Sequence, residues 1–371
     1  ENSLSKGQKN NAHKSSHQNC HCSSFSIMHI YNKLIYMEKI NLDNISKQNI
    51  KSHGKIGVRI KYITNVRLPT SRALGYAIMK MCSEFAKAEV DTELFVPSRG
   101  NNQLKEDPFD YYNIERNFKI KKIWSTDLLG LTERFGKVFY WIDTLSFLVM
   151  AKFKMKLGSD DLLYTRDFMT TLFFSKKNFI VLEIHDVPNS RFLFKIALKK
   201  SKLFVVISNG IKRELLKLNI PEEKILVSPS GVDISEFAVD ISKGEARKSL
   251  NLPEESKIAM YVGLLDEWKG YKTLLEASND LKKQNIEIVI IGGFPEQLNV
   301  LTKQYPEVIF LGVRPYAELS KNQKAADVLV LPNTGKFAIS KYYTSPLKAF
   351  SYMASQRPIV ATDLPSLREI L

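Results

Sequence analysis

The stretch Lys257–Gly293, KIAMYVGLLDEWKGYKTLLEASNDLKKQNIEIVIIGG, decides the fold class. KIAMYVG and IEIVIIGG are short, continuous apolar runs of strand length, and between them a loop ending at Gly270 opens a helix predicted over 270–283. Apolar on both faces, strands of this kind belong to parallel sheets covered by helices. The same rhythm continues downstream, with strands EVIFLG, ADVLVLP and RPIVAT and helices near 295–304, 316–325 and 346–355. Upstream it recurs as KIGVRIKYIT, TELFVP, DLLYTR, FIVLEIH, LFVVIS and KILVSP. Helical segments near 168–176, 190–200 and 209–217 alternate with these, and YAIMKMCSEFAKA puts Ile78, Met81, Cys82 and Phe85 on one helical face. The pattern predicts two doubly wound α/β domains, whose ligands bind at the carboxyl ends of the strands.

The stretch SPSGVDISEFAVDISKGEARKSLNLPEESK, rich in Pro, Gly and Ser, reads as the linker between them. The expected boundaries are a first domain over 55–230, a linker over 231–256 and a second domain over 257–371. Residues 1–54 differ from the rest: they are rich in Asn, Ser, Lys and His, lack apolar periodicity and read as a disordered or non-native tail. Met28 and Met37 are candidate starts within it, and the chain begins at Glu1. His17, Cys20, His21 and Cys22 are zinc-ligand types, but Cys20 and Cys22 are one residue apart and no second pair follows, so no metal site is assigned. With 3 Cys in 371 residues a disulfide framework is excluded.

The net charge of +15 is uneven: +4 over 1–54, +9 over 55–200 and +2 over 201–371. The basic excess suits either an anionic partner for the first domain or a solvated Lys-rich surface. No RNP-like or helix-turn-helix pattern points to nucleic acid. The most apolar run, VFYWIDTLSFLVMA over 138–151, is too short and too polar to span a bilayer. With KFKMK after it, it reads as a buried helix or as one lying in a membrane interface. G-x-G-x-x-G, the P-loop pattern, H-E-x-x-H, G-x-S-x-G and Asp-x-Asp are all missing, which leaves enzymes that hold phosphate with helix N-termini and single basic residues.

Four constellations are candidates for chemistry, and each has a structural alternative: a solvated first-turn Lys, a capped structural helix, a structural His and an ordinary βα loop. In YVGLLDEWKG a strand ends at Gly263 and Lys269 stands at a helix start, a place for an anion. In YYTSPLKAFSYMASQRPIVAT, Ser345 is expected as N-cap with Pro346 in the first helical position, leaving the amides of Leu347 and Lys348 for a second anion contact. VLEIHD ends a strand in Glu183, His185 and Asp186; His185, the only His after residue 53, is the candidate catalytic residue. The loop NVRLPTSRALG offers Arg67 and Arg72 to an anion and meets its helix near Gly75.

With these quoted together with VISNGIKREL, VSPSGVDISEF, FLGVRPYAEL and YYTSPLKAFSYMASQRPIVATDLPSLREIL, in this order over about 55–371, the chain resembles glycosyltransferase family 4. That resemblance implies the GT-B fold, with two Rossmann-like domains facing a cleft. It also implies transfer of a sugar from a UDP- or GDP-linked donor to a glycan or lipid-linked acceptor, with retained anomeric configuration and neither a metal nor another cofactor. By the resemblance, Lys269, Gly263 and the Ser345-Pro346-Leu347 turn hold the donor diphosphate, Ser351 lies on the donor, and His185 faces the donor sugar. Arg67, Arg72 and Gly75 line the acceptor side, and the basic first domain receives its acceptor at the inner face of the membrane from the cytoplasm. Two positions depart from the family: Tyr343 and Ser351 stand where a pair of Glu is usual, and Leu264 where an Arg is usual. Lys336 or Lys341 could substitute for the lost contacts. These departures keep a catalytically weak or inactive nucleotide-binding relative, and a nucleotide-sugar epimerase of the same fold, as alternatives. The chain reads as stopping short of the closing helices of that fold at Leu371.

Overall fold

A computed structural model describes residues 58–70, 72–99, 105–128, 138–188 and 191–371; the tail and its Cys/His candidates lie outside them. The first sheet is built from β1 (Arg59–Ile63), β2 (Asp91–Pro97), β3 (Lys119–Ile123), β4 (Asp161–Thr165), β5 (Phe179–Ile184), β6 (Leu203–Val206) and β7 (Ile225–Val227). Its order is β3-β2-β1-β4-β5-β6-β7, every neighbouring pair parallel, with Tyr62 level with Leu94 on one side and Tyr164 on the other. Alternation sends Ile60 and Tyr62 to one face and Ile63 to the other. The first face is covered by the helix Ala73–Lys87 through Ile78, Met79, Cys82 and Phe85; Met81, expected inward, is only partly buried. The second is covered by the helix Val138–Lys154 through Phe147, Leu148 and Ala151. Each large apolar side chain buried in this way contributes about 1.5–3 kcal/mol.

The second sheet holds β8 (Lys257–Val262), β9 (Ile286–Ile291), β10 (Ile309–Gly312), β11 (Val328–Leu331) and β12 (Ile359–Ala361), in the order β10-β9-β8-β11-β12, again all parallel. The helix expected over 270–283 is broken at Ala277 into Tyr271–Glu276 and Ser278–Lys282. The stretch 231–256, read as linker, is more than that. Its helix Lys243–Ser249 has a Ser242–Glu245 capping box, and Ala246, Leu250 and Leu252 are buried in the second core.

The two units touch through specific groups. Ser208, which caps the helix Asn209–Lys217, donates through Oγ to the carbonyl of Tyr343 at 2.9 Å, and the Asn209 amide donates to Glu369 at 2.8 Å. Gly210 makes this approach feasible: a Cβ there would stand 1.8 Å from the Tyr342 carbonyl oxygen. On the other side, Tyr76 stacks on Tyr316 with ring centroids 4.0 Å apart and donates to Glu236, while Lys80 pairs with Asp233 at 2.7 Å. These contacts turn the loops after the strands of one sheet toward those of the other.

Candidate active site

Glu183, near the carboxyl end of β5, is the hub on the first unit. It is buried, and its Oε1 lies 2.9 Å from Arg166 and 2.7 Å from His185 Nε2, while Oε2 accepts from the Tyr164 hydroxyl at 2.8 Å. Burial alone would raise its carboxyl; the Arg166 guanidinium and then His185 overcome that and hold it well below the usual carboxylate range. An ionised carboxylate only accepts, so His185 Nε2 carries the proton and Nδ1 is the nitrogen left to a ligand. The imidazole is 38% exposed, as a group meeting a ligand must be. Beside it, burial raises the carboxyl of Asp186, which caps the Val187 amide.

The second unit contributes the carboxyl ends of β8 and β11. After Gly263 the chain turns through Asp266 into a short 3₁₀ turn, Glu267–Lys269, so Lys269 precedes the helix that begins at Tyr271. Lys269 Nζ sits 2.7 Å from Asp266 and 5.2 Å from the centre of the Trp268 ring. Asn333, at the end of β11, is fully buried with neither side-chain polar atom bonded. A π-helical turn, Ile339–Tyr343, follows, a distortion often found at functional sites.

The turn before the last long helix differs from expectation. The helix runs Leu347–Ala354 with Pro346 as its N-cap, so Ser345 is not the cap and Pro346 is not its first residue. The Ser345 hydroxyl instead accepts from the Ser230 amide at 2.9 Å, a partner 115 positions away that tethers the turn to the connector. The amides of Leu347 and Lys348 head the helix with no side-chain cap, as an anion site would require. Ser351 is buried; its hydroxyl donates to the Lys348 carbonyl and accepts from Gln323 Nε2 at 3.1 Å, so it faces the interior of its unit. Tyr343 packs against the first unit's Ile207–Leu215 cluster. Lys336 is exposed, and Lys341 lies over the Tyr342 ring at 5.1 Å.

The β1 loop is put to structural use. Arg67 pairs with Asp127, and the Arg72 amide donates to the Thr70 hydroxyl at 3.3 Å. Gly75 is required by packing: a Cβ would lie 2.1 Å from the Tyr112 hydroxyl, which bonds the backbone of Thr70 on both its amide and its carbonyl. The sequence reading missed Arg166 and the side chain of Lys348. Arg166 was visible only as the residue ending DLLYTR. Among the described residues no three His, Cys, Asp or Glu come together as a metal cage, and no helix is long and apolar enough to cross a membrane.

Residues 256–371 match the family model described as glycosyl transferases group 1. A stretch of 177 residues is 29% identical to an uncharacterized glycosyltransferase of Methanocaldococcus jannaschii, covering 45% of this chain and 44% of that protein. A stretch of 195 residues is 30% identical to WcaL of Escherichia coli, a putative colanic acid biosynthesis glycosyltransferase, covering 50% of this chain and 45% of WcaL. The matched stretches thus span under half of these relatives' lengths. Among solved structures, Anabaena HepE in complex with UDP and glucose superposes with a TM-score of 0.59 at 14% identity, over 85% of this chain and 83% of that one. Sucrose-phosphate synthase from Thermosynechococcus elongatus gives 0.60 at 19% identity, over 84% and 83%. Two parallel sheets with this likeness across both units are the GT-B fold.

Proposed function

We propose that the chain, whose residues 256–371 match the family model of group 1 glycosyl transferases, is such an enzyme and moves a sugar from a UDP- or GDP-linked donor to a glycan or lipid-linked acceptor with retention of anomeric configuration. The observation that carries this reading is the pairing of two half-sites across the Ser208–Tyr343 contact. His185 stands at a strand end of one unit, and Lys269 with the uncapped Leu347–Ala354 helix stands at the strand ends of the other. Charge develops on the leaving diphosphate as the anomeric bond breaks. Lys269, a cation, and the neutral N–H donors heading the Leu347–Ala354 helix would together meet that charge, a role that needs no metal ion or other cofactor. His185, held by Glu183, presents Nδ1 to a hydroxyl of the donor sugar. Gly263 lets the diphosphate approach the β8 backbone. Arg67 and Arg72 lie on the loop that would meet the acceptor.

The acceptor is presented at a membrane surface on the cytoplasmic side. The helix Val138–Lys154 supports this because it carries apolar side chains outward as well as inward. Asp143 accepts from the Leu128 amide and Thr126, and Thr144 from Asn65, all within the protein. Outward, Trp141, Leu145 and Phe153 are 52%, 53% and 71% exposed. On the helix Arg191–Lys200, whose Lys200 feels the charge of Lys152, Phe192 is 73% exposed and Lys195 and Lys199 face solvent. An apolar strip edged by lysines suits the headgroup layer of an anionic bilayer.

A second reading, nucleotide binding without transfer, is favoured by one observation: Ser351 stands where the resemblance expects a carboxylate, and its hydroxyl is consumed by Gln323. Incubation with a panel of UDP- and GDP-sugars separates the two. Slow donor hydrolysis, lost in Lys269→Ala, supports transfer; nucleotide binding without turnover on any donor and acceptor supports the second reading.

A further inference from the structure

Lys348 presents a problem that the protein alone does not solve. Its Nζ is buried and has no hydrogen-bond partner. It sits 4.2 Å from the centre of the Tyr261 ring, a face that is itself buried and whose hydroxyl is engaged with the Leu264 carbonyl at 2.8 Å. Its stem runs beside Gly263, where an added Cβ would come within 3.9 Å of Cδ. The charged groups that face it are Lys269, which repels it, and Asp266, which is already paired with Lys269 at 2.7 Å. Its own helix adds to the imbalance: Lys348 is the second residue of Leu347–Ala354, at the positive end, with no acidic residue in the first turn. Two amines and a helix N-terminus therefore share one carboxylate. A ring face is a weak substitute for a counter-charge against the desolvation cost of a buried ammonium. The consequence is an amine held well below the usual lysine range by burial and then by Lys269.

We propose that Lys348 is a ligand of the donor's diphosphate, bound together with Lys269. The inference rests on the reading that this unit takes a nucleotide-sugar. It adds a residue and a linkage that the motif reading, which used only the backbone of Lys348, did not contain. Burial and Lys269 hold the free amine's proton affinity down and the arriving anion restores it, so binding takes up protons from solvent and release returns them. Above the amine's free-state pKa, affinity falls as pH rises, because each binding event then consumes a proton.

Calorimetric titration with UDP and with inorganic pyrophosphate tests this, in buffers of different ionisation enthalpy across about pH 6 to 9. The protein is compared with Lys348→Met, Lys348→Arg and Lys269→Ala. The native protein takes up more protons per UDP than Lys348→Met does, which removes the titration of the phosphate itself from the comparison. Lys348→Met binds about tenfold or more weakly at neutral pH. Lys348→Arg keeps binding but loses the extra uptake, because a guanidinium is charged throughout. Lys348→Met melts no lower than the native protein without ligand, since it removes an unpaired buried amine. Native affinity and native proton uptake in Lys348→Met, with binding lost in Lys269→Ala, overturns the assignment of Lys348 and leaves the donor site standing. Absence of UDP and pyrophosphate binding by the native protein overturns both.

Discussion

His185 Nε2 lies 2.7 Å from an oxygen of Glu183, and that carboxylate is locked ionised by Arg166. The tautomer of the one histidine at the site is therefore chosen by a buried ion pair, leaving Nδ1 as the ligand-facing acceptor. The first prediction follows from this. His185→Ala lowers transfer or donor hydrolysis about a hundredfold. It shifts the melting temperature little, because the ring is half-exposed. Steady-state rates and a thermal melt on the same preparation check it.

Glu183→Gln is expected to behave differently. It strips the counter-charge from a buried guanidinium, which costs about 3–5 kcal/mol. The sign with pH is set by the direction of the shift. The folded carboxyl is depressed, so its contribution is present above the ordinary carboxylate pKa and is lost as pH falls below it. Denaturant unfolding at several pH values should show the native protein losing stability on acidification more steeply than the Gln variant.

How much of this was legible in the sequence depends on range. The strand ends at Gly263 and His185 follow from local apolar runs, and the two sheets carry them where expected. The Ser345 cap was misread because its hydroxyl is claimed by Ser230, a partner no local pattern reveals. The Lys348 side chain was missed for the same reason: a lysine near a helix start is ordinarily solvated, and Tyr261 and Lys269, distant in sequence, come against it only in the fold. The connector was read as linker from its Pro, Gly and Ser. The four-residue spacing of Ala246 and Leu250 was the overlooked signal of a helix packed on the second core.

Across the domain contact, burial would raise Asp233, but Lys80 brings its carboxyl down to about 2. Its contribution is complete above the ordinary Asp pKa of about 3.9 and lost as pH falls toward 2. Asp233→Asn should lower the melting temperature at neutral pH and flatten the acid limb of the stability curve over that window. A limb identical to the native one would remove Lys80–Asp233 from the account of how the units are held together.

The outward face of Val138–Lys154 makes a separate claim. Phe153→Ser combined with Phe192→Ser is expected to cut binding to vesicles containing phosphatidylserine by about a hundredfold or more, taking about 1.5–3 kcal/mol per aromatic ring. Activity on a water-soluble acceptor is unchanged. Flotation of the native and double-variant proteins, at low and high salt, reads the result.

The central claim is that the carboxyl end of the second sheet holds a nucleotide-sugar donor. Saturation-transfer NMR with UDP, GDP and their sugars tests it most directly, run on the native protein and on Lys269→Ala. The account predicts transfer to the ribose and base protons of at least one of these nucleotides in the native protein, and its collapse in Lys269→Ala. No saturation of any nucleotide by the native protein, or undiminished saturation in the variant, would contradict it.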